Sequence, residues 1–107
     1  MFKERSYCGE LKTSDIGRNV SLAGWVEGNR NLGGLIFIKL RDVSGTVQVV
    51  FDSSVDPGLV ASADQARSEF VVEITGTVRG RDEKNINPNI PTGAIEVLGD
   101  SITILNA

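Results

Sequence analysis

The sequence predicts an all-β domain, a five-stranded Greek-key barrel with one short helix between its third and fourth strands. Three observations support this. Apolar residues recur two apart in five runs rich in Val, Ile and Thr. Gly and Asp punctuate the runs, as turn residues do. Between the third and fourth runs, helical spacing replaces the alternation.

The first run, residues 19–27 (NVSLAGWVE), places Val20, Leu22 and Val26 on one face and Ala23 and Trp25 on the other. The second, residues 35–42 (LIFIKLRD), turns Ile36, Ile38 and Leu40 inward and gives Phe37, Lys39 and Arg41 a common outer face. A Ser44-Gly45 turn, short enough for a hairpin, leads into residues 46–52 (TVQVVFD), with Val47, Val49 and Phe51 inward and Gln48 and Val50 outward. Asp56-Pro57 then resembles a helix start, and Leu59, Ala63 and Ala66 keep helical spacing. The fourth run, residues 70–81 (FVVEITGTVRGR), buries Phe70, Val72, Ile74 and Val78 and sets Glu73, Thr75, Thr77, Arg79 and Arg81 opposite. The fifth, residues 94–105, turns Ile95, Val97, Ile102 and Ile104 inward and Glu96 outward, with a kink or bulge expected at Gly99-Asp100. Three strands, a helix and two strands is the element order of an OB-fold, whose second and third strands and first and last inter-strand loops bind oligonucleotides or oligosaccharides. The polar, turn-rich stretch RGRDEKNINPNIPTG is the last of those loops. Loops this long inside compact domains are usually functional or disordered.

Composition narrows the function. At 107 residues the chain is long enough for one domain with its own core. No apolar run is long enough to span a bilayer, and the first residues lack the apolar core of a secretory signal, so a cytoplasmic setting is expected. A lone Cys8 forms no internal disulfide, and without histidine structural zinc is poorly served. The missing histidine also removes the commonest general base, and no phosphate-cradling glycine motif is present. Cys8 is expected to be a small buried thiol, and Asp82-Glu83 a solvated pair. With net charge -3 the chain does not grip nucleic acid by bulk charge. Any such binding is local, and Arg30, Lys39, Arg41, Arg79, Arg81 and Lys84 supply six of the eleven cations.

Binding chemistry gathers on one face. Phe37 suits core packing against the helix or the N-terminal segment as well as a stacking platform; the element order favours the platform, where a base on an aromatic ring contributes on the order of 1 to 3 kcal/mol. Gln48 lies near it across the hairpin with an amide that both donates and accepts. Arg79 and Arg81 suit phosphate contacts or base stacking, or else pairing with Glu73, Asp82 or Glu83. Asn85 and Asn87, two apart before Pro88, can present amides to unpaired bases or simply favour the turn. Glu96 can accept from guanine or solvate its strand. A general single-strand binder and a protein-interaction module remain open alternatives.

The motifs YCGEL, GWVEGNRNLGGLIFIKLRDVSGTVQVVFD and ITGTVRGRDEKNINPNIPTGAIEVL, in this order and over essentially the whole chain, closely resemble the N-terminal anticodon-binding domain of bacterial-type aspartyl-tRNA synthetases. The resemblance implies an OB-fold that binds the G, U and C of the aspartate tRNA anticodon stem-loop. It places Phe37 under the middle base, Gln48 at its edge and Arg30 nearby from the first loop. Arg79, Arg81, Asn85 and Asn87 match the part that holds the last base and adjoining backbone, and Glu96 the acidic residue that reads guanine. The family usually shows three arginines and an aspartate where this chain has Gly28, Asn29, Arg30 and Asn31. Only Arg30 is retained, and two lost cations would lower phosphate attraction by about two contacts if both normally touch backbone. Asn31, also a candidate contact, brings an amide that donates where the carboxylate only accepts. The class II catalytic motifs are absent from the sequence, so this chain is expected to be one OB-fold domain over residues 1–107, excised from a longer synthetase and unable alone to charge tRNA. ATP and magnesium are expected only in the catalytic domain, with no cofactor in this one. The parent is expected to be a homodimer and the isolated domain a monomer.

Overall fold

The computed structural model describes residues 6–81, 86–88 and 92–106. The strands are β1 (Asn19–Asn31), β2 (Leu35–Asp42), β3 (Gly45–Asp52), β4 (Val71–Gly80) and β5 (Ile95–Asn106), with the helix α1 (Pro57–Asp64) between β3 and β4. They close into a barrel in the order β1-β2-β3-β5-β4. All neighbours are antiparallel except β3 and β5, which meet in parallel at Val49–Val97 and Val50–Leu98. This is the OB-fold architecture, with closure completed by the short parallel contact between β3 and β5. Among the described residues no helix is long and apolar enough to cross a membrane.

Period-two alternation builds the core as expected. Leu22, Ile36, Ile38, Leu40, Phe51 and Ile74 are fully buried. Each such side chain contributes roughly 1.5–3 kcal/mol by leaving water. Asp56 caps α1 by accepting from the Leu59 N–H (3.2 Å), and Pro57 occupies the first turn. The helix ends at Asp64, short of Ala66, yet both Ala63 and Ala66 are buried against the barrel. Cys8 is buried, as expected, and its thiol is pushed up by burial and by the neighbouring Asp42.

Two residues depart from the expected burial while keeping the face assigned to them. Val50, expected on the wet face, is 1% exposed. It lies between its register partners Phe37 on β2 and Leu98 on β5, which wall it in on the outer surface. Ile104, expected inward, is 37% exposed. Past the parallel contact with β3, β5 pairs only with β4, so Ile104 has a strand neighbour, Val72, on one side alone.

Among the described residues the ladders shift register at three places, between Val71 and Val72 opposite the end of β5 and at the two bulges that follow. On β5 the register steps from Thr75–Ser101 to Gly76–Gly99, leaving Asp100 as the extra residue where a kink was expected. Gly99 is required there because a Cβ would come within 2.3 Å of the buried Phe51 ring. On β1 the register steps from Val26–Leu40 to Gly28–Lys39, and Glu27 is the extra residue. This second bulge determines which side chains reach the outer face.

Candidate nucleic-acid interface

Before Glu27, the even-numbered Val20, Leu22 and Val26 point into the barrel. One added residue exchanges the faces of all that follow. Asn29 and Asn31 therefore stand opposite Ile38 and Ile36, which face inward, while Arg30 stands opposite Phe37, which faces outward. The first loop was expected to carry Arg30 and Asn31. Instead β1 continues through both, leaving only residues 32–34 as the connection. Gly33 and Gly34 take positive φ in that turn, and Asn31 Oδ1 accepts from the Gly33 N–H (3.2 Å).

The run that departs from the family pattern thus splits by face. Asn29 Nδ2 donates to the carbonyls of Ala63 (3.1 Å) and Ala66 (2.7 Å), satisfying the C-terminal end of α1. Asn31 Nδ2 donates to Asp64 Oδ1 at 3.1 Å. Both amides are turned to the helix, and Arg30 alone of the three lines the outer cleft.

That cleft, about 620 Å³, is lined by Arg30, Phe37, Gln48, Val50, Arg79, Arg81 and Glu96 together with residues at its rim. A second depression shares Arg30, Phe37, Gln48 and Arg81 and adds Gly28, Lys39 and Asn87. Phe37, half-buried on the floor of Val50, is common to both. One flank is a continuous polar row across three strands. Gln48 Nε2 on β3 donates to Glu96 Oε1 on β5 (2.9 Å), and Arg79 Nε on β4 donates to Glu96 Oε2 (2.7 Å). Arg81 Nε donates to the Ile95 carbonyl (2.9 Å); burial pulls its guanidinium below the ordinary value while Glu96 opposes the shift. Along β2, Lys39, which lines the second depression, and Arg41, which lines neither, are both ion-paired to Glu27, Lys39 Nζ at 3.3 Å. Arg79 is ion-paired to Glu96.

The described parts of the last loop close over this surface. Arg81 N donates to Ala94 O (3.0 Å) and Asn87 N to Gly93 O (2.9 Å). Thr92, 1% exposed, donates its hydroxyl to the Thr46 carbonyl (2.6 Å) and ties the loop to β3. No local pattern marks Thr92, since a threonine among turn residues reads as solvent-facing. Asn85, Lys84 and the Asp82-Glu83 pair lie outside the described residues. Of the other expected site residues, Arg30, Phe37, Gln48, Arg79, Arg81, Asn87 and Glu96 converge on the two depressions, and Asn31 does not.

An aromatic floor, an oriented amide and three guanidinium groups are what stacking and edge recognition of unpaired bases require. Comparison with known proteins agrees. Over 106 residues the chain is 55% identical to an aspartate–tRNA ligase of Listeria monocytogenes serotype 4a (strain HCC23), covering 99% of this chain and 18% of that protein. It is 49% identical over 107 residues to an aspartate–tRNA(Asp/Asn) ligase of Bacillus subtilis (strain 168), covering all of this chain and 18% of that protein. The chain thus spans less than a fifth of the length of these curated relatives. Among solved structures, asparaginyl-tRNA synthetase from Pyrococcus horikoshii complexed with asparaginyl-adenylate superposes with TM-score 0.79 at 30% identity, over 99% of this chain and 23% of that one. The tRNA anti-codon family, described as an OB-fold nucleic acid binding domain, matches residues 20–105. With that match spanning most of the barrel, the chain belongs to the OB-fold nucleic acid binding domain family of tRNA anti-codon type.

Proposed function

We propose that this chain reads the GUC anticodon of aspartate tRNA as the anticodon-binding part of a cytoplasmic aspartate-tRNA ligase. The observation that carries the reading is the cleft built on Phe37, with the Gln48–Glu96–Arg79 row along its edge. A base stacked on Phe37 meets an amide able to donate and accept, while Arg30, Arg79 and Arg81 supply positive charge within an acidic domain. Asn87 overhangs the same surface from the last loop. Aminoacylation, with its ATP and magnesium, belongs to the remainder of such an enzyme. The relatives carry both aspartate and aspartate/asparagine names.

The test is an NMR titration of the labelled chain at low salt with an anticodon stem-loop carrying GUC, beside the same loop with its middle U changed to A. Expected are shifts centred on Phe37, Gln48, Asn87 and Glu96 that weaken with the changed base. Equal shifts with both loops would indicate a general single-strand binder. No shifts with either would favour a protein partner.

A further inference from the structure

Glu96 spends both carboxylate oxygens on its neighbours: Oε1 accepts from Gln48 Nε2 at 2.9 Å and Oε2 from Arg79 Nε at 2.7 Å. Its side chain is only 12% exposed, and the Arg79 partner is 42% exposed. A carboxylate accepts and cannot donate, so it must face the NH2 of Gln48 and not the amide oxygen. Among the described residues no donor reaches Gln48 Oε1. What Gln48 offers to the cleft beside Phe37 is thus one open acceptor and the second Nε2 hydrogen.

A glutamine free to turn over about its last torsion is ambidextrous. Exchanging O and N, it meets base edges of either polarity. Uracil presents a carbonyl and an N3–H at the two positions where cytosine presents an amino group and a bare N3 acceptor, so the two edges are inverted copies. A pinned amide separates them; a free one does not.

We propose that Glu96 is a positioning residue: by holding Nε2 it sets the polarity of Gln48, so that Oε1 takes an imino N–H and the cleft admits uracil over cytosine. This rests on the anticodon reading above. Arg79 supports the arrangement from the other side by holding the carboxylate in place.

The experiment compares the affinity of the chain for stem-loops carrying GUC and GCC, before and after Glu96→Gln. That replacement keeps the shape of Glu96 but lets residue 96 donate or accept, releasing Gln48 to turn over. The unaltered chain is expected to prefer GUC on the order of tenfold. Glu96→Gln is expected to narrow the ratio to within about threefold, whatever happens to the overall affinity. A parallel loss on both loops with the ratio intact overturns the proposal. A second measurement needs no variant and no RNA. In the unaltered chain, the Gln48 Nε2 proton bound to Glu96 is expected to exchange with water more slowly than its twin, and equal exchange overturns the pinned amide. Absence of binding to either loop removes the anticodon reading, and the uracil preference with it, while the proton exchange still decides whether Glu96 holds Gln48.

Discussion

Two carboxylates on the outer surface of one barrel do similar chemistry with different consequences. Glu27 at the β1 bulge pairs with Lys39 and Arg41 of β2; its side chain is 33% exposed and those of the cations 51% and 46%. Glu96 on β5 bridges Gln48 and Arg79 with its own side chain 12% exposed. Water screens the first cluster and holds all three groups about as well as they hold one another, so such pairs contribute little. The second is shielded, and its loss leaves a half-buried guanidinium and an amide without an acceptor. Burial, more than the number of ion pairs, decides which carboxylate organises a site. Glu27 nevertheless has a functional effect. It pairs with Lys39, which lines the second depression, and with Arg41 on the same face of β2, while Arg30 and Arg81 line both depressions.

The comparison can be broken at its centre first. Phe37→Ala is expected to reduce affinity for the anticodon stem-loop by about 1–3 kcal/mol, fivefold or more, in fluorescence or calorimetric titration. A loss below twofold would show that the ring carries no base. Glu96→Ala is expected to cost about 1–3 kcal/mol in urea unfolding, allowing for the partial solvation of Arg79. Stability unchanged by that substitution would place Glu96 with Glu27. Asn29→Ala removes two hydrogen bonds from the C-terminal end of α1 and is expected to cost about 1 kcal/mol of stability without altering base preference. A shifted base preference would mean that the helix tether reaches the cleft.

The smallest effects belong to Glu27. Glu27→Gln is expected to leave stability nearly unchanged while tightening RNA binding at low salt and steepening its salt dependence, because Lys39 and Arg41 become available to phosphate. Its titration gives a second check. The hydrogen bond from Arg41 holds the Glu27 carboxyl below its ordinary value of 4.5, against an opposing burial effect and with help from Lys39. A depressed carboxylate stabilises the fold fully above its unfolded value, and that contribution is lost as pH falls through the folded value. An NMR midpoint at or above 4.5 would show that the Lys39–Glu27–Arg41 cluster does not persist in solution.

Much of the site was legible because strands alternate strictly. Phe37, Lys39 and Arg41 share an outer face for the same reason that Ile36, Ile38 and Leu40 share an inner one. The alternation misled where a bulge intervened. Nothing local in GWVEGNRN says that Glu27 is left out of the ladder, so reading the run as a loop missed that Asn29 and Asn31 turn to α1 while Arg30 turns to the cleft. The burial of Val50 and Ile104 was misread because it depends on which strands flank a residue as well as on its face, and the parallel contact between β3 and β5 joins residues far apart in the chain.

By itself the sequence determined the element order, the inward-facing apolar set, the α1 cap at Asp56 and most of the residues that meet in the cleft. These follow from periodicity and short-range chemistry, which operate between residues a few positions apart. Only the tertiary structure decided that Glu96 holds both Gln48 and Arg79, that Thr92 anchors the last loop, and that the β1 bulge deals three consecutive residues to opposite faces. Each of those depends on barrel closure, which brings together strands distant in sequence and sets their register through pairings that no local pattern encodes.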